Sequence, residues 1–170
     1  VIVPPTDHNG ELKLNVTAIA QDGSASTLQS SASSLSFTLL AQSESAEVDT
    51  SNISTTEDTI VAVSIAPTKA DENGILTIKI SGVPDGATLG TNNGGTYTSF
   101  AEQSVGTITT VTSGDPAVTT YTYTLAEANL TNLAISPPND YSEAISLDVS
   151  VTEKSGTEIA SSAVTGSISV

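Results

Sequence analysis

Apolar and polar side chains alternate along much of this chain, and that period of two limits what it can fold into. Leu12, Leu14, Val16 and Ala18 alternate with Lys13, Asn15 and Thr17. Leu35, Phe37 and Leu39 alternate with Ser36 and Thr38. The same period marks Leu76, Ile78 and Ile80, then Tyr121, Tyr123 and Leu125, then Ile145, Leu147, Val149 and Val151. Val164, Gly166, Ile168 and Val170 close the series. Successive strand side chains point to opposite faces, so each run reads as a half-buried strand. Thr, Val and Ile dominate these runs, as a pleated surface prefers. Helical periodicity is nearly absent; Leu125 to Leu133 offers one short turn with Thr124 as its N-cap. The pattern predicts an all-β chain, and turn signals at short spacing predict an antiparallel sandwich.

An internal repeat sets the expected organisation. VPPTDHNGELKLNVTAIAQDG, from Val3 to Gly23, aligns without a gap with SPPNDYSEAISLDVSVTEKSG, from Ser136 to Gly156. Pro4-Pro5 matches Pro137-Pro138, Asp7 matches Asp140, and Leu12, Leu14 and Val16 match Ile145, Leu147 and Val149. Each copy leads through a Ser-rich stretch into a last alternating strand. Residues 1–44 therefore read as the two-strand C-terminal half of a module, and residues 45–170 as one complete module. Two strands cannot bury a core alone. The half-module is expected to need an upstream segment, a neighbouring molecule or the downstream module.

Charge removes several classes of function. The 170 residues carry 19 acidic and 4 basic side chains, a formal net charge of −15. Nucleic-acid binding needs clustered Lys and Arg, and docking on anionic lipid needs the same. Acidity and scarce aromatics are also marks of disorder, but the alternation supplies faces to bury and decides for a folded chain. With no Cys, thiol catalysis, disulfides and the common zinc sites are excluded. No apolar run is long enough to span a bilayer and no signal peptide is visible, so membrane insertion is not expected. GxSxG, HExxH and phosphate-cradling loops are absent. The single His8 is matched in the repeat by Tyr141, a polar turn position, so no enzyme is expected. Asn15, Asn52 and Asn129 begin glycosylation sequons that a Thr-rich chain produces by chance.

Glu57 to Ile80 (EDTIVAVSIAPTKADENGILTIKI), Ser81 to Leu89 (SGVPDGATL) and Leu130 to Glu153 (LTNLAISPPNDYSEAISLDVSVTE) carry a family resemblance. They resemble the immunoglobulin-like modules of giant bacterial repeats-in-toxin (RTX) adhesins, calcium-dependent surface proteins exported by type I secretion. The resemblance implies an immunoglobulin-like sandwich and an extracellular place on a bacterial cell surface. It implies a non-enzymatic role as a rigid spacer that presents a ligand-binding domain. Neighbouring tandem modules would be its partners, with a host or biofilm ligand beyond them. The chain departs from the family pattern between Gly90 and Thr120, a longer Thr- and Gly-rich segment with Tyr97 and Phe100. Two alternatives follow: a glycan- or peptide-binding module using that insertion, or a surface filament subunit completed by strand exchange.

Calcium (Ca2+) is the natural ion for such a chain, since it takes six to eight oxygens from carboxylates, carbonyls and water. The candidate ligands are Asp7, Asp49, Glu57, Asp58, Asp71, Asn73, Asp85 and Asp140. Asp71-Glu72-Asn73-Gly74 resembles the start of an EF-hand loop but lacks the twelfth-position Glu, so an EF-hand is rejected. With Thr59 to Ile65 taken as the first strand of a seven-strand order, Asp140 is expected beside Asp71. Glu153 is then expected at the opposite end, near Asp85, Glu57 and Asp58. Glu44, Glu47 and Asp49 are expected in a linker between the two modules.

Overall fold

The computed structural model describes residues 1–4, 10–21, 23, 28–39, 46–56, 58–154 and 163–170. The chain forms two compact units, Val1–Gln42 and Ser43–Val170.

In the first unit, strands β1 (Gly10–Val16), β2 (Ile19–Ala20), β3 (Leu28–Gln29) and β4 (Ser33–Leu39) form one extended antiparallel hairpin. Leu12 stands opposite Phe37 and Leu14 opposite Leu35. The alternation thus gathers the apolar side chains on one face. That face stays open to water: Val16 is 55%, Leu35 49% and Phe37 40% exposed.

The second unit is an antiparallel β-sandwich. Its elements are β5 (Glu47–Thr50), β6 (Val61–Ala62), β7 (Ile65–Thr68), β8 (Ile75–Pro84), β9 (Thr88–Asn93) and β10 (Thr96–Ser99). Then come a one-turn helix α1 (Phe100–Gln103), β11 (Thr107–Ser113), β12 (Val118–Ala126), β13 (Leu133–Ser136), β14 (Ser146–Lys154) and β15 (Val164–Ser169). One sheet has the order β11-β12-β8-β14-β15 and the other β10-β9-β13-β6. Strands β5 and β7 pair separately, and β5 also lies against β15, where Gly166 faces Val48 and Thr50.

Inward residues of the two sheets meet as one core. Ile78, Ile80, Leu147, Val149, Val151 and Ile168 come from the larger sheet, and Leu89 and Ile135 from the smaller; all are fully buried. Phe100 plugs the core from α1, with its ring centroid 6.5 Å from that of Tyr123. Helix α1 is set by a capping box: Ser99 Oγ accepts from Glu102 N, and Glu102 Oε2 accepts from Ser99 N.

Three local expectations change. The turn expected after Thr124 begins later, as a 3-10 turn at Glu127–Leu130 with Ala126 in the N-cap position. Tyr123 and Leu125 are buried, so the strand keeps them and runs on to Ala126. Thr59 to Ile65 is not the first strand. That stretch is divided between β6 and β7, and β5 precedes both. Glu47 and Asp49, expected in a linker, lie on β5, where Asp49 is exposed opposite Ala66.

The extra strand reverses the polarity of the module. In a unit entered at one end and left at the other, a strand added before β7 moves the Asp71 and Asp85 turns to opposite ends, while β14 and β15 keep theirs. Lys154 stands opposite Ile75 and Asp148 opposite Ser81, so β14 begins where β8 ends. The Asp71–Gly74 turn and Glu153 therefore share one pole. The Asp85-Gly86 turn and the Pro137–Asp140 turn share the other. The expected pairings of Asp71 with Asp140 and of Glu153 with Asp85 are both corrected.

Candidate functional site

The pole where β8 begins is organised by a buried carboxylate. Residues Leu147, Val149, Val151 and Glu153 of β14 all face inward, and Glu153 is only 3% exposed. Its Oε2 accepts from Ala70 N at 2.9 Å and its Oε1 from Asp71 N at 3.0 Å. A buried anion needs such partners, and two amides to one carboxylate are charge-assisted bonds. Asp71 then shapes the turn itself: its Oδ1 accepts from Asn73 N at 2.8 Å and its carbonyl from Gly74 N at 2.9 Å. Asp and Asn favour turns through such local bonds. Gly74 makes room for the clasp, because a Cβ there would lie 1.8 Å from Glu153 Oε1.

The other pole collects three aspartates on three turns. Asp58 and Asp140 both adopt left-handed backbone, with φ of 58° and 55°. Asp58 Oδ1 accepts from Asp140 N at 3.0 Å. Asp85 Oδ1 accepts from Gly86 N at 3.1 Å and from the Tyr121 hydroxyl at 3.0 Å. That bond, reinforced by the Asp85 charge, holds the Tyr121 phenol above its ordinary pKa. The Asp85 and Asp140 turns come close together: a Cβ added at Gly86 would lie 3.2 Å from Pro138 Cβ. Beside them lies a shallow cleft of about 520 Å³ lined by Ile53, Thr55, Pro137, Tyr141 and Glu143.

Of the candidate ligands, Asp58, Asp85 and Asp140 are brought to one pole, Asp71 and Asn73 to the other, and Asp49 stands apart on β5. Asp7 and Glu57 lie outside the described residues, as do His8 and Glu44. The donors at both poles are oxygens, which fits a hard cation. Among the described residues, however, no group of three or more His, Cys, Asp or Glu side chains is placed to hold a metal ion.

The clasp role of Glu153 was missed at the level of sequence. One signal was available: the alternation that buries Leu147, Val149 and Val151 also turns residue 153 inward. A carboxylate there requires partners.

The insertion is a packed extension of the sandwich. Tyr97 donates from its hydroxyl to the Thr88 carbonyl at 2.8 Å, and burial raises its pKa. Leu89 N donates to the Tyr123 hydroxyl at 3.4 Å, and burial raises that pKa too. Strand β11 is exposed along its whole length and, among the described residues, is an edge strand of the larger sheet. No helix among the described residues is long and apolar enough to cross a membrane. No family model, no curated protein and no solved structure matches this chain.

Proposed function

We propose that this chain is a non-enzymatic structural module of a calcium-dependent bacterial surface adhesin, a rigid extracellular spacer that presents a ligand-binding domain. The observation that carries the reading is the path of the chain through the second unit. Glu47 of β5 lies opposite Thr68, at the pole of the Asp71 turn. Ser169 of β15 lies opposite Ser146, at the pole of Asp85 and Asp140. The backbone thus traverses the sandwich from one pole to the other, the geometry needed to string such units in line. Carboxylates stand on turns at both poles. A cation there would replace repulsion between neighbouring turns by shared coordination.

Calcium would be held at the pole of Asp58 and Asp140, with Asp85 nearby, and would supply charge neutralisation and cross-linking of the turns. The chain's own contribution is to fix those turns, through the Asp140 N to Asp58 Oδ1 bond and the close approach of Gly86 to Pro138. Binding to the folded state alone stabilises it by about 2.7 kcal/mol at a hundredfold excess over Kd. Millimolar calcium should therefore raise Tm clearly. Magnesium, which gives up its water reluctantly, should do much less. Asp58→Ala with Asp140→Ala should remove most of the rise while leaving the far-ultraviolet circular dichroism unchanged. An unchanged Tm in calcium makes the carboxylates a solubilising coat and ends the calcium reading.

A second reading, a peptide-binding module using the insertion, is favoured by β11. An uncharged, exposed edge strand is a template for strand addition. Binding to a peptide array that is lost on Val111→Pro would support it over the spacer.

A further inference from the structure

The two hairpins of this chain are built in one register. Leu14 opposite Leu35 in the first unit maps, at a single constant offset, onto Leu147 opposite Ile168 in the second. At the same offset Val16 opposite Ser33 maps onto Val149 opposite Gly166. Apolar positions stay apolar, and the glycine becomes a small serine. What differs is the cover. Leu147, Val149 and Ile168 are fully buried, whereas Val16 is 55% and Leu35 49% exposed.

The covered copy shows what the open one fits. Strand β14 has β15 on one side and β8 on the other, with Val149 opposite Ile80 and Asp148 opposite Ser81. Among the described residues β1 has β4 on one side and no strand on the other. Stoichiometry then limits the partner. The described residues contain two hairpins of this kind but one β8, which β12 and β14 already flank. A second intact copy could cover the first hairpin only by uncovering its own. Its own is also secured: the counterpart of Glu153 is Ala20, which has no carboxylate for the Ala70 and Asp71 amides.

We propose that the β1–β4 hairpin is a donor element whose partner is an acceptor sandwich lacking its last hairpin. The acceptor presents an edge strand of β8 chemistry, with aliphatic side chains inward at the spacing of Ile78 and Ile80, above a facing apolar sheet. Strand β1 joins that edge antiparallel, with Asn15 opposite the position of Ser81 and Val16 opposite that of Ile80. The hairpin lies at an adhesin-type joint only if the spacer reading holds. Its donor role needs no metal, so it is tested without divalent ions and stands or falls separately.

The donor is the full chain with Phe37→Trp, the only tryptophan it would contain. The acceptor is the full chain with Val149→Asp and Val151→Asp, which unseat its own β14, and Leu14→Asp, which disables its own donor. Mixing should shift the tryptophan emission to the blue and give a complex of one donor with one acceptor by light scattering. A donor carrying Asn15→Cys should form a disulfide with an acceptor carrying Ser81→Cys; a donor carrying Lys13→Cys should not. An unshifted tryptophan and no complex, with an acceptor that keeps its strand content, overturn the proposal. If the acceptor does not fold, a synthetic strand of residues 74–84 with Ser81→Cys replaces it. Trapping at Asn15→Cys at least tenfold faster than at Lys13→Cys supports the register, and equal trapping refutes it.

Discussion

Replacing Glu153 by Ala tests the clasp at the pole where β8 begins. The substitution removes two hydrogen bonds to a buried carboxylate, at 2.9 and 3.0 Å. Bonds to charged groups are worth about 1.5–3 kcal/mol each, and the abandoned amides add a desolvation cost. Ala70 is exposed, so water recovers part of this. The expected loss is about 2–4 kcal/mol. For a unit of this size each kcal/mol moves Tm by about 4 °C, so a fall of roughly 8–16 °C is expected. Glu153→Gln keeps one acceptor oxygen and should lose about half as much. Gly74→Ala reaches the same end from the other side, because its Cβ would evict the carboxylate oxygen that lies 1.8 Å away. The double variant should then cost no more than either single one, a coupling of about the full single-variant loss. Urea unfolding followed by circular dichroism measures all four corners of the cycle. A loss below about 1 kcal/mol for Glu153→Ala, or additive single losses, would refute the clasp.

Four further outcomes follow from the core, the insertion and the Asp85 turn. Phe100→Ala should cost about 3–5 kcal/mol in urea unfolding, since the ring is fully buried and its removal leaves a cavity in the core. Gly90→Ala would put a Cβ 2.2 Å from the backbone oxygen of Thr98, so it should cost about 1–3 kcal/mol and speed hydrogen exchange in β10. Tyr97 and Tyr123 have pKa values raised above 10.0 by burial, so the fold favours their neutral forms. Their contribution is fully present below the ordinary tyrosine pKa and is lost as pH rises through the raised values. Absorbance at 295 nm should therefore show late phenol ionisation that coincides with alkaline unfolding. Asp85→Asn should bring the Tyr121 titration back toward its ordinary range.

The strands were legible where alternation was long and apolar. Leu76 to Ile80 and Ile145 to Val151 became the central pair β8 and β14 because each run fills a buried face. The all-β class and the antiparallel sandwich follow from those runs. Strand β5 was not legible: in Glu47-Val48-Asp49-Thr50 the outward positions are acidic and only two positions turn inward, so it reads as a solvated linker. That single omission inverted the poles, because turn placement depends on counting crossings. Asp58 and Asp140 were named from composition and turn chemistry, but their contact depends on two left-handed turns that no local pattern specifies. Ser99 and Glu102 did carry a capping signature for α1, hidden in a stretch otherwise rich in Thr and Gly.

Strand β11 also bears on the colloidal behaviour of the molecule. Its sequence, Thr-Ile-Thr-Thr-Val-Thr-Ser, has no charge and no proline, and among the described residues no strand pairs with its outer edge. Natural sheets usually blunt such an edge with lysine, proline or a bulge. Here the protection is long-range: a net charge of −15 keeps copies apart before their edges can meet. Repulsion of that kind is conditional. It weakens as salt shortens the Debye length to about 8 Å at physiological ionic strength, and it vanishes near the isoelectric point. At a pH close to 4.1 the chain loses its net charge while β11 remains the same neutral template. Acidification should therefore convert a dispersed protein into edge-paired, sheet-rich aggregates without any prior loss of the sandwich.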